Sequence, residues 1–189
     1  MSIASDHILR PALIGTLVAW ITLVVASGAF AAAAFPAVRD LAPLVPSMPV
    51  MTESHWKVVA GMPAQANFRL VQAAGWVLGL ASMLLALGCQ GSKGLGGAAQ
   101  WISHAAAIGL LLANQLAVMN PLDRLGGELH AAMRRGDVEA AMELDRQFST
   151  IHRLATPMMS AMLVAIALVT IIVFLRASRL VCADGGSAS

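Results

Sequence analysis

The groups of this 189-residue chain that carry chemistry are its five histidines, its two cysteines and a few polar side chains inside apolar runs. Imidazole and carboxylate together suit zinc or another divalent cation. On that ground His55, His130 and His152 are weak candidate ligands, with Asp123, Glu128 or Asp145 beside them. None of these stands at a diagnostic ligand spacing. Asp145 and His152 fall two helical turns apart on one side of a helix, too far to share one ion without ligands from elsewhere. Histidines that are solvated or bonded at an interface are the competing reading.

A second polar group lies in an apolar setting: Gln100, Ser103, His104, Asn114 and Gln115, with Gln72 on a neighbouring segment. Polar groups in hydrocarbon face other helices or a cavity, so this set is either interhelical glue or a ligand or proton path. A bis-histidine haem would need a second histidine at the same depth, and the sequence has none. Cys89 and Cys182 form no Cys-x-x-Cys, which disfavours a thiol oxidoreductase. They are either unpaired or, in an oxidising compartment, a disulfide. "GCQGSKGLGG" superficially resembles a phosphate-binding loop but lacks its order and a preceding strand. No nucleophile stands beside a base, and no carboxylate pair lies within an apolar run. The sequence thus implies no catalytic residue, no firm metal site, no cofactor and no enzyme.

The elements that position these groups are set by where charge is missing. Residues 11–38, 70–92, 94–122 and 154–175 contain no Asp, Glu, Lys or Arg. Each run exceeds the roughly 20 residues that cross a hydrocarbon core as a helix, and none alternates as a strand would. With 58% hydrophobic and 12% charged residues, the chain carries about half the charge of an ordinary soluble domain. The expectation is an all-α integral membrane four-helix bundle, a single membrane domain, with spans at about 11–35, 69–90, 97–119 and 153–176. Arg10 followed by an apolar run and "AFA" also resembles a cleavable signal, but the charge-free stretch outruns a signal's apolar region.

A net charge of +2 and no basic cluster beyond Arg134 and Arg135 exclude nucleic acid as a partner. Four spans put both termini on one face, with Arg10, Lys93, Arg176 and Arg179. The other face holds eight basic residues, which by the positive-inside rule favours the two long loops in the cytoplasm. The place expected for the protein is a cell or cytoplasmic membrane, as a multi-pass chain.

Between the first two spans, residues 36–68 hold five of the eight prolines and read as an irregular cap. Within it "TESHWKVVAGM" suits a short helix or an interfacial turn. Residues 122–152 read as an amphipathic stem: after Gly126 and Gly127 the sequence is charged and helix-forming, and Gly136 with Asp137 marks a stop and a capped restart. From there Ala141, Leu144, Phe148, Ile151, Ala155, Met158 and Met162 recur at alternating spacings of three and four, continuing to Ala165 and Val169. The last span is therefore expected to extend outside the bilayer as one helix. Its seam must meet the proline-rich loop or another chain. Gly75 with Gly79, and Gly28 with Ala32, are small-residue pairs of the kind that let membrane helices approach, or chance spacings.

The exit of the first span, "GAFAAAAFPAVRDL", the "NP" of Asn120 and Pro121, and the Phe148-x-x-x-His152 before the last span resemble the four-span family of unknown function that includes transmembrane protein 205. The resemblance implies a four-helix integral membrane protein and supplies no reaction. Together these readings point to a non-enzymatic accessory or scaffold subunit. Its partners would be the lipid bilayer and either other membrane chains or copies of itself. The alternative is a small transporter or metal-handling protein.

Overall fold

Apolar segments with no water to bond must close their own backbone hydrogen bonds, and the computed structural model meets that requirement with helices. It describes residues 3–89 and 95–185, with side chains over 8–89 and 97–178. The helices are α1 (Ile3–Asp40), α2 (His55–Gly88), α3 (Leu95–Asn114), α4 (Asn120–Arg135) and α5 (Val138–Gly185). A 3-10 turn, Thr52–Ser54, leads into α2, and a π segment, Gln115–Met119, joins α3 to α4. No strand occurs among the described residues. Four stretches, Ile8–Asp40, Thr52–Gly88, Gly97–Arg135 and Val138–Ser178, are long and apolar enough to cross a membrane. Residues 90–94 of the Gly-rich connection, with Lys93, lie outside the described residues, as do the side chains of His7, Arg179 and Cys182.

The helices are longer than the prolines suggested. α1 runs through Pro36 to Asp40 and α2 runs through Pro63, so the irregular cap expected over 36–68 shrinks to 41–51 and a short turn. An interior proline costs about 3 kcal/mol, a loss that a helix packed on both sides of the site can absorb. The stem expected to begin at residue 122 is not separate from the third span either. The π segment carries the chain straight into α4, with Pro121 at the start of that helix, where its missing N–H is least needed. Gly126 and Gly127 lie inside α4, and Gly126 leaves room for the Phe148 ring, 3.7 Å from where a Cβ would stand.

α4 stops in a Schellman motif. Gly136 adopts φ 74°, its N–H bonds Met133 O at 3.2 Å, and the Asp137 N–H bonds Ala132 O at 3.1 Å. Asp137 Oδ1 then accepts the Ala140 N–H at 3.1 Å and caps α5. α5, at 48 residues, extends about 72 Å.

The contacts divide the chain into two compact units. The first comprises Met1–Leu23, Ala73–Leu111 and Ser160–Ser189. Its interior is Leu13, Leu17, Trp20, Ala86, Ala107, Leu111, Met162, Ile166, Val169 and Val173, all buried. Gly75 and Gly79 form its tightest crossing. A Cβ at Gly79 would stand 2.6 Å from Ile108 Cδ1 and 3.0 Å from Trp20 Cη2, and one at Gly75 3.2 Å from Leu111 Cδ1. That pair is a contact point, whereas a Cβ at Gly28 would meet nothing within 4 Å.

The second unit comprises Val24–Gln72 and Leu112–Met159. Its core joins Met48 of the irregular segment, Val58 of α2, Leu129, Ala132 and Met133 of α4, and Ala141 of α5. Val45, Val50, Met51, Ala140 and Leu144 pack against that core. The irregular segment thus owes its order to apolar burial, even with Ala42 and Met51 in the left-handed region at φ 43° and 55°.

Candidate functional site

The candidate ligands of the second unit are held by separate structures. His55 begins α2 and is fully buried, with both ring nitrogens committed to backbone: the Val45 N–H donates to Nδ1 at 2.9 Å, and Nε2–H donates to the Val50 carbonyl at 3.1 Å. This fixes the tautomer and lets one side chain satisfy two backbone groups of the irregular segment. The ring that looked like a ligand is a clasp for residues 45–50.

His152 on α5 stacks on Phe148, ring centroids 6.0 Å apart at 10°, and meets the edge of Phe35 at 6.4 Å. Phe35 in turn meets Trp56 at 6.5 Å in a T-shaped contact. Four rings from α1, α2 and α5 therefore form one aromatic cluster beside the charged turns of the helices. His130 lies on the charged helix α4, beyond the charge-free run. Burial, and then the nearby Arg134, push it below the ordinary histidine value. Among the described residues no three His, Cys, Asp or Glu converge as metal ligands.

Ion pairs tie the same unit together. Lys57 Nζ reaches Asp145 at 2.9 Å, and Arg69 Nε reaches Asp123 at 3.0 Å, with Gln65 donating to the same Asp123 carboxylate. Along the exposed side of α5, hydrogen bonds from Arg146 and Gln147 hold the Glu143 carboxyl down to about 2.

The polar residues of the apolar segments are largely bonded to one another. In the second unit Asn114 Nδ2 donates to Gln72 Oε1 at 3.0 Å, both residues buried, and Asn67 Nδ2 donates to Ser27 Oγ at 2.8 Å. Gln115 Nε2 donates to Asn120 Oδ1 at 2.6 Å across five residues, a spacing the π segment brings into register. In the first unit His104 is 1% exposed, and its Nδ1–H donates to the Gln100 carbonyl at 3.0 Å. Gln100 is buried as well, and its Oε1 accepts from Arg176 at 2.8 Å. Ser103 is half-buried. Among the described residues, the buried side-chain atoms Trp20 Nε1 and His104 Nε2 have no hydrogen-bond partner.

The seam of α5 is turned inward. Ala141 is fully buried and Leu144 packs on the α4 core, Phe148, Ile151, Ala155 and Met158 are half-buried, and Met162 is buried. Of the two occupants the sequence left open, residues 45–51 and α4 cover the beginning of the seam. The roles of His55 and of the Lys57–Asp145 pair had no signal in the sequence, because partners 10 and 88 residues away leave no local pattern. No protein-family model, curated protein or solved structure matches the chain.

Proposed function

We propose that the chain is a multi-pass integral membrane protein without catalytic activity, acting as an accessory or scaffold subunit of a larger membrane complex or of a homo-oligomer. In this reading the charge-free parts of α1, α2, α3 and α5 cross the bilayer, and the start of α5, with α4 and residues 41–51, forms a cap outside it. The four-span family that includes transmembrane protein 205 is the kin proposed on the same topology. The membrane part is supported by four helices of sufficient length and apolarity.

One observation carries the accessory role. The cap has its own apolar core, yet large apolar side chains remain on its outside: Leu41 is 78% exposed, Leu44 72% and Met142 56%, with Val138 one turn before Met142 also exposed. These residues adjoin Arg39, Asp40, Glu139 and Glu143, in charged sequence where lipid tails do not reach, so a protein surface is the cover that suits them.

The test follows from the inward seam. Leu144→Glu buries a charge in the cap core and unfolds it, so its effect on assembly is uninformative. Val138→Glu with Met142→Glu leaves the core intact. It is expected to reduce the mass of the gently solubilised particle in native mass spectrometry to that of the single chain, while wild type runs above 19.6 kDa. A wild-type protein that is monomeric when released from its own membrane contradicts the accessory reading.

A second reading, a small transporter or metal-handling protein, draws support from one atom. His104 Nε2 is a buried acceptor without a partner, and such groups are retained at a cost unless they serve a ligand. Replacing His104 with Ala should then alter ion uptake or tolerance while insertion is unchanged. An unaltered phenotype removes this reading.

A further inference from the structure

We draw no further inference here: the strongest candidate, the exposed small-residue face of α1 formed by Ala12, Gly15, Ala19 and Thr22, is an unpartnered helix face and nothing in the structure shows what covers it.

Discussion

Gly79→Ala adds one methyl group at the tightest crossing of the first unit. The new Cβ would stand 2.6 Å from Ile108 Cδ1 and 3.0 Å from Trp20 Cη2. Ile108 can change rotamer to escape, but the fully buried Trp20 ring has less freedom. Overpacking of this kind costs about 1–3 kcal/mol, while replacing a helical glycine with alanine returns about 1 kcal/mol, so Gly79→Ala is expected to lose up to about 2 kcal/mol net and to fall about 1–3 kcal/mol below a glycine replaced without a clash. Gly109→Ala is the control, because a Cβ there meets nothing within 4 Å and only the helix-forming gain applies. Ile108→Val removes the colliding Cδ1 and by itself costs about 1 kcal/mol. Combined with Gly79→Ala it should recover about 1 kcal/mol relative to the sum of the single changes, with the Trp20 contact keeping the rescue partial. Reversible unfolding in mixed micelles measures all four proteins. If Gly79→Ala is as stable as Gly109→Ala, or if the double variant is simply additive, the close approach of α2 to α1 and α3 is wrong.

The buried Asn114–Gln72 bond, at 3.0 Å, should contribute about 0.6–1.7 kcal/mol. In a cycle of Asn114→Leu and Gln72→Leu, the double variant should lose less than the two single losses together, and full additivity would place the two side chains apart. His130 sets a pH dependence. Its folded-state pKa lies below the ordinary 6.5, so the unfolded chain binds a proton that the folded chain does not. The stability this represents is present above 6.5 and is lost as pH falls from there toward the lowered value. Melting followed by circular dichroism should show that acid-side decline, flattened in His130→Gln, and an unchanged slope in the variant would remove His130 from the account.

The helices could be read from the sequence wherever a single physical rule governs many residues. Avoidance of charge over four runs marked the apolar helices, and the three-and-four spacing from Ala141 marked α5 as one element. Gly136 and Asp137 marked its start because an αL stop and a carboxylate cap are local devices. Proline misled for the opposite reason. Pro36, Pro63 and Pro121 each carry a strong local preference, and each sits inside or at the start of a helix held by its neighbours. Arg69 and Gln65 anchor α2 to Asp123 of α4, and Phe35 meets Trp56, contacts that no local window contains. The same limit applies to the candidate sites. His55, His130 and His152 were grouped by residue type, but one clasps the irregular segment, one sits on α4 and one stacks on Phe148.

The measurement that tests the central claim most directly is the accessibility of single cysteines in sealed vesicles of known orientation, in a background where Cys89 and Cys182 are serine. Glu53→Cys and Glu139→Cys report on the cap, Ser178→Cys on the end of α5, and Leu168→Cys on the outer side of its apolar run; all four positions are exposed in the fold. The account predicts that a membrane-impermeant maleimide labels positions 53 and 139 from one side and 178 only from the other, while 168 resists both. Labelling of 53, 139 and 178 from the same side, or ready aqueous labelling of 168, would contradict a four-span chain with a cap on one face.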